Sequence, residues 1–399
     1  MLNILFLISL FVVFPLGEVT RYQFNNGVAI SLFDIVAVIN LLTVTFILIK
    51  QKTLLSFTLT KPLGIFVFLC VVSLVVNAFV LPPASLVVAA MYIIRFLAYV
   101  SFYPTVYFIS PNMRKRTPIY IVIAGIFVGI MGITQFFLYP TLQNLYYLGW
   151  DTHWYRLFAT FFDPNFAGVV LLFPFFYSLF LAYMSLIKKN VRASVFFCLT
   201  TLFFLVSVYL TFSRTALLAL AAGLIVFFYL LKIPRIIIAG MFALLVAGVI
   251  IVSINYKATE GTKLYRIASS TARIDSVNAA LVIFSKNPIL GIGFNAYRYA
   301  QYRYGFATGP NWQDSHSGAG TDNSFLFILA ATGILGFASF LYLVFRIGML
   351  YKTKNTHVPP VAASFVGVMI GSLFINAFFY PAILFLLWSS LGLIENTKH

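Results

Sequence analysis

The chain has 399 residues, of which 62% are hydrophobic, 18% aromatic and only 9% charged, and its formal net charge is +17. Soluble domains are roughly 45–50% apolar, so this composition excludes a soluble fold. It predicts an all-α polytopic membrane protein whose apolar runs can each cross a hydrocarbon core of roughly 30 Å. The runs are continuous rather than alternating, which excludes a transmembrane barrel. In such a chain the positive charge must first be divided between two membrane faces, and nucleic acid is not an expected partner.

In chain order, spans are predicted over 2–16, 28–49, 62–80, 85–108, 118–139, 165–186, 193–211, 215–231, 236–254, 323–346, 359–378 and 380–394, about twelve helices in one transmembrane domain, 1–399. The opening "MLNILFLISLFVVFPLGE" has no Lys or Arg before its apolar stretch and no small-residue cleavage site, so it predicts a short first span rather than a removed signal. Basic residues mark every second connection: Lys50, Lys52 and Lys61; Arg114, Lys115 and Arg116; Lys188, Lys189 and Arg192; Lys232 and Arg235; Lys352 and Lys354. By the positive-inside rule these loops and both termini are expected in the cytoplasm. Glu18, Asp151, Asp163, Glu260, Asp275, Asp314 and Asp322 all fall on the opposite side.

Two connections on that opposite side are longer than a hairpin needs, about 140–164 and 255–322. The second exceeds the roughly 60 residues over which the charge rule holds, and it is basic in the wrong place for topology: Lys257, Lys263, Arg266, Arg273, Lys286, Arg298 and Arg303 outnumber its acids. An anionic partner is the natural reading. Within it, "STARIDSVNAALVIFSKNP" places Ile274, Val277, Ala280, Leu281 and Phe284 at helical spacing, which predicts an amphipathic helix on the outer membrane surface. Such a helix serves either as a packing element or to hold Arg273 over a lipid headgroup.

Several short motifs carry candidate chemistry. "GIGFNA" fits a dinucleotide fingerprint in letters only, because no strand–turn–helix unit surrounds it; a Gly-rich turn is the reading adopted. "TFSRTALL" sets Arg214 at the outer end of a tight hairpin, either as a snorkelling interfacial arginine or as a fork for phosphate oxygens. Arg95 lies inside a span, where a charge costs about 2.5–3.5 kcal/mol on insertion scales, so it needs a partner. That partner is Asp34, or else Arg95 lines a polar cavity. In "FFDPNFAG" Asp163 followed by Pro164 reads as a helix cap and first turn, with cavity lining as the sharper role. His153 and Arg156 share their loop with Trp150 and Trp154, aromatics of an interfacial belt first and a sugar-stacking surface second.

The entry "GTDNSFLFILAATGILGF" follows a polar, Gly-rich approach, and Asp322 and Asn323 either cap the helix or face chemistry. Asp314, His316 and Asp322 are the clustered acid–base candidates of the long loop. Cys70 and Cys198 lie in different apolar runs and no second His or Cys stands at ligand spacing from His316, so neither a disulfide framework nor a metal site is expected. A carboxylate or imidazole beside arginines is what glycosyl transfer from a diphosphate needs: one group deprotonates the acceptor, the cations stabilise the leaving group.

Taken in order, "FFDPNFAGVVLLF", "TFSRTALLALAAGLIVFF", "ARIDSVNAALVIFSKNPILGIGFNAY" and "GTDNSFLFILAATGILGF" resemble the O-antigen polymerase and O-antigen ligase superfamily of bacterial surface-polysaccharide assembly, over about 160–346. The resemblance implies a GT-C-like glycosyltransferase of the bacterial inner membrane, using undecaprenyl-diphosphate-linked glycan at the extracytoplasmic face without cofactor or metal. It implies further that Arg214 and Arg273, with Arg266 as a third, engage the lipid diphosphate, that Asp322 or His316 is catalytic, and that membrane lipids and a chain-length regulator are partners. Ligases usually carry His where Asp322 stands, so the resemblance leans to a polymerase, with a ligase as the alternative. A transporter or flippase is a third class, disfavoured because the ionisable residues crowd one face rather than the midplane.

Overall fold

The structure, a computed structural model, describes residues 1–24, 28–53, 57–233, 267–308, 312 and 320–395. Among them helix dominates, and the only strands are one antiparallel pair, Tyr22–Gln23 (β1) with Ala29–Ile30 (β2). Eight helices are long and apolar enough to cross a membrane: α1 Leu2–Thr20, α2 Leu32–Gln51, α3 Thr60–Phe79, α4 Pro83–Phe108, α5 Pro111–Leu138, α6 Pro164–Ile187, α7 Val191–Leu210 and, later in the chain, α11 Ser324–Leu350. Three shorter apolar helices join them, α8 Arg214–Leu230, α12 Val358–Gly371 and α13 Pro381–Ile394. Two helices of the long connection, α9 Ile267–Lys286 and α10 Tyr297–Arg303, complete the described set. The chain is thus a multi-pass helical membrane protein. The span expected over 236–254 lies outside the described residues, as do Arg266, Asp314 and His316.

The helices begin where the sequence permits it. Proline stands in the first turn of α4, α5, α6, α12 and α13, a position whose N–H has no intrahelical partner in any case. Hydrogen bonds then sort the helix ends into two groups. Asn3 pairs with Ser110, the Arg114 guanidinium donates to the Glu395 carbonyl at 3.0 Å, Glu395 accepts from Thr58, and Asn355 donates to the Leu393 carbonyl. These residues, from the two ends of the chain and three connections, share one end of the bundle. The other end gathers the entries of α6, α8 and α11 and the turn between α12 and α13.

Two features depart from uninterrupted spans. First, α11 is broken at Gly333, which has φ 64° and ψ −169°. At about 1.5 Å per residue the break lies roughly 15 Å from Ser324, near half the thickness of a hydrocarbon core. Residues 288–293 fill it: the N–H groups of Ile292 and Gly293 donate to the carbonyls of Ala330 and Ala331, and the Ile334 N–H donates to the Pro288 carbonyl. Ser73 and Asn77 of α3 close the remaining acceptors, at Ala331 and Gly291. A Cβ on Gly291 or on Gly333 would meet facing backbone within about 2.5 Å, so the two segments approach this closely only as glycines. "GIGFNA" is therefore a buried seam, and the helix interruption carries backbone partners rather than ionisable groups.

Second, α12 and α13 are each 14 residues long, about 21 Å, shorter than the spans expected over 359–378 and 380–394. Residues 372–380 leave the helical path to wrap around the entry of α11. The Ser324 N–H donates to the Ser372 carbonyl at 2.8 Å, and the Phe378 N–H donates to the Ser324 hydroxyl at 3.2 Å. A hairpin tip is thereby fastened at the end where α11 starts.

Candidate active site at the shared helix entries

The site begins with "FFDPNFAG". The Asp163 carboxylate accepts from the N–H groups of Asn165 and Phe166 at 2.6 and 3.2 Å, so Asp163 caps α6. The Asn165 side-chain oxygen in turn accepts from the Ser213 hydroxyl at 2.8 Å and from the Arg156 guanidinium at 3.3 Å. Arg156, only 4% exposed, also donates from Nε to the Thr211 carbonyl at 2.9 Å. This network locks the entry of α6 to the turn between α7 and α8. Gly168 permits the contact, since a Cβ there would fall 2.4 Å from the Ala216 Cβ.

Ser213 caps α8, accepting from the Ala216 N–H, and so Arg214 is the first residue of that helix. A cation at a helix N-terminus opposes the helix dipole, at a cost of about 0.3–1 kcal/mol if nothing anionic is present. Among the described residues no carboxylate lies within ion-pair distance of Arg214. Helix end and guanidinium both point to an anion.

The second half of the site is the entry of α11. Here Asn323, not Asp322, is the cap: its side-chain oxygen accepts from the N–H groups of Phe325 and Leu326 at 2.9 and 3.0 Å. Its amide nitrogen donates to the Leu373 carbonyl on the hairpin tip. The capping role expected of the Asp322–Asn323 pair falls on one member, and the Asp322 carboxylate makes no hydrogen bond or ion pair among the described residues. The Asp322 backbone N–H donates to the Ser276 hydroxyl at 3.1 Å and ties the entry to α9.

Helix α9 is present as expected, and its packed face shares part of the apolar stripe read in sequence, with Ala280 buried and Val277 and Phe284 half-buried. Ala279, Ala280 and Ile283 are buried and Arg273 and Ser276 are half-buried, whereas Ile274 and Leu281 are 60% and 46% exposed. The helix packs on α11 through its smaller residues, because Ser276 must approach the Asp322 backbone, and the large aliphatic groups face outward. Arg273 sits on the packed face, its guanidinium 5.9 Å from the centre of the Phe374 ring on the hairpin tip, a cation–π contact, with no carboxylate at ion-pair distance among the described residues.

Electrostatics joins these parts. Crowding by protein pushes the Asp322 carboxyl above its usual range; the Arg273 charge opposes that shift, and Asp163 and Asp151 add to it. The Arg273 guanidinium is lowered, first by burial and further by Arg214, while Asp322 and Asp163 pull it up. Arg273 therefore lies within electrostatic range of Asp322, Arg214 and Asp163, and Asp322 within range of Asp163, although the four come from separate elements. His153, at 3.9 Å from Asp163, adds an imidazole to the rim. No group of three metal-ligating side chains occurs among the described residues. Unpaired guanidinium groups, three helix N-termini and one carboxylate of raised pKa can bind a diphosphate and accept a proton beside it.

Arg95 is placed elsewhere. It forks onto Asp34, with Nε 2.6 Å from Oδ1 and a terminal nitrogen 3.0 Å from Oδ2, and the Tyr99 hydroxyl donates to Oδ1 at 2.8 Å. Ser31 completes the carboxylate's contacts through its N–H and hydroxyl. Sequence reasoning did not single out Asn165, Ser276 or Phe374. Asn165 was legible as the residue after Asp163-Pro164 in a helix start, whereas Ser276 and Phe374 act across elements distant in the chain.

A model of the O-antigen ligase family matches residues 199–341. No curated protein matches the chain. The matched stretch runs from the second half of α7 through the first part of α11 and contains Arg214, Arg273 and Asp322, but neither Asp163 nor Arg95. That match, over about a third of the chain, makes residues 199–341 similar to the O-antigen ligase family and supports a place in the O-antigen ligase/polymerase superfamily.

Proposed function

We propose that the protein polymerises lipid-linked oligosaccharide repeat units at the outer face of the bacterial inner membrane, with undecaprenyl-diphosphate-linked glycan as donor. The observation that supports the reading is Arg273 within electrostatic range of both Asp322 and Arg214, with no ion pair at any of the three among the described residues. The acceptor hydroxyl gives its proton to Asp322, and its oxygen forms the new bond to the anomeric carbon. The bond from that carbon to the diphosphate breaks, and the leaving oxygen takes the electron pair. Arg214 and Arg273 stabilise the charge that develops there. Arg266 and His316 belong to the same long connection and are proposed as a third cation and a second base. The basic connections at the opposite end, with both termini, are assigned to the cytoplasm.

The test is transfer by the purified protein in lipid, supplied with lipid-linked repeat units from its native host. A ladder of lengthened lipid-linked products is expected. The second reading, favoured by the description of the matching family, is a ligase; it predicts a single transfer of finished glycan to a different acceptor. No product from folded protein under either condition overturns both.

A further inference from the structure

We infer that Asn376 is a specificity-determining residue whose side-chain amide takes a hydroxyl of the acceptor sugar, next to the one that reacts. The inference rests on the glycan-transfer reading above for the word acceptor, but the site itself stands on packing.

Asn376 lies on the hairpin tip between α12 and α13. The polar groups that fasten this tip to α11 are used: Ser372, Leu373 and Ile375 offer carbonyls to Ser324 and Asn323, and the Phe378 N–H donates to Ser324. Asn376 is the tip's one amide side chain, and it takes no part in this fastening. Its Oδ1 is buried and has no donor, and its side chain makes no hydrogen bond among the described residues. Buried acceptors of this kind are rare in folded proteins and call for a partner that arrives from outside.

The placement says what that partner is. A Cβ on Gly320 would stand 3.2 Å from the Asn376 amide nitrogen, and Gly320 is separated from Asp322 by a single residue. Two residues before Asn376 along the tip, Phe374 carries the Arg273 guanidinium over its ring. The amide thus lies against Gly320, two residues before Asp322, on the same tip that carries the ring under Arg273. It is neutral, and it both donates and accepts, as a sugar hydroxyl does. A phosphate oxygen accepts only, and the arginines are better suited to it. The Phe327 ring, 3.5 Å from the same Gly320 Cβ position, gives this corner an apolar wall.

The decisive measurement is binding, independent of turnover. The probes are the repeat-unit oligosaccharide freed from its lipid by mild acid and, separately, undecaprenyl diphosphate without sugar. Asn376→Leu is expected to weaken oligosaccharide binding roughly 3- to 10-fold, the range of one neutral hydrogen bond, and to leave undecaprenyl diphosphate binding unchanged. Its thermal midpoint should equal or exceed that of the wild type, because an unpaired buried acceptor is removed. Gly320→Ala, whose Cβ would press on the Asn376 amide nitrogen from 3.2 Å, should weaken the oligosaccharide and spare the diphosphate likewise. In the transfer assay both variants should raise KM for acceptor with little change in kcat. Oligosaccharide binding equal to wild type, a loss shared by the sugar-free diphosphate, or no oligosaccharide binding by the wild type overturns the inference. If the wild type binds glycan in this manner but transfers none, the transfer reading fails while the glycan site stands.

Discussion

Two of the molecule's sets of buried or half-buried charges are built on opposite plans. Within the bundle, Arg95 and Asp34 satisfy each other: the fork uses both carboxylate oxygens, and Ser31 and Tyr99 occupy their remaining lone pairs. At the shared helix entries, Arg273 feels both Asp322 and Arg214, yet no ion pair joins them among the described residues. A closed pair has nothing left to offer a ligand, whereas an open cationic cluster at three helix starts is incomplete until an anion enters. The difference separates charges kept for folding from charges kept for chemistry, which residue type alone does not.

The sharpest way to break the contrast is Asp322→Asn. As the base, Asp322 should be worth about 10²- to 10⁴-fold in kcat, read in the transfer assay. Stability should move the other way. A carboxyl whose folded pKa is raised binds its proton more tightly in the folded than in the unfolded state, so folding stability falls as pH climbs from the ordinary carboxylate range through the raised value. Above the raised value that loss is complete, and there the Asn variant should melt at the same temperature as the wild type or higher. The acid limb of wild-type activity should fall above the usual carboxylate value, because burial, Asp163 and Asp151 hold the proton on against the pull of Arg273. An active Asp322→Asn enzyme would move the base to His316.

Arg95→Ala tests the closed set and should behave in reverse. It strands Asp34 with Ser31 and Tyr99 as its only neighbours, and losing one partner of a buried pair costs about 3–5 kcal/mol. The expected result is a large drop in the thermal midpoint in detergent, with transfer per folded molecule retained. Arg214→Ala should lose about 10²- to 10³-fold in kcat, the cost of one donor to a developing oxyanion, while the midpoint stays or rises, since a cation that opposes a helix dipole is gone. If Arg214→Ala unfolds the protein and Arg95→Ala abolishes transfer in folded protein, the division between the two sets collapses.

Much of this was legible in the sequence, for reasons that differ by element. The spans are legible because apolar length alone decides membrane crossing, and the Arg95 partner because a charge inside a span must find one and Asp34 is the nearest in depth. Asp163 as a cap is legible from Asp-Pro at a helix start. The packing of α9 was less so: periodicity marks its apolar stripe but not which of those residues meet α11, and Ala280 is buried while Ile274 and Leu281 stay exposed, because Ala280 and Ser276 permit close approach. The insertion of residues 288–293 into a broken α11 was likewise hidden, because "GIGF" and "ATGI" are far apart in sequence and only their joint packing explains both glycines. The hairpin tip that carries Phe374 and Asn376 reads as two adjoining spans, since its departure from helix depends on Ser324, nearly fifty residues earlier.

The smallest expected effect separates two neighbours that sequence reading treats as one. Asn323→Ala removes the side chain that caps α11 and anchors the Leu373 carbonyl, and a lost cap costs about 0.5–2 kcal/mol. A modest fall in the thermal midpoint is expected, with kcat reduced only as far as the hairpin tip shifts. Asn323→Asp keeps an acceptor for the Phe325 and Leu326 N–H groups but loses the donor to Leu373, and it places a second carboxylate beside Asp322. That variant should retain most of the helix stability and push the Asp322 carboxyl further up, so the acid limb of activity should move to higher pH. An acid limb that stays in place in Asn323→Asp, with activity otherwise normal, would mean that the titrating group of the reaction is not Asp322.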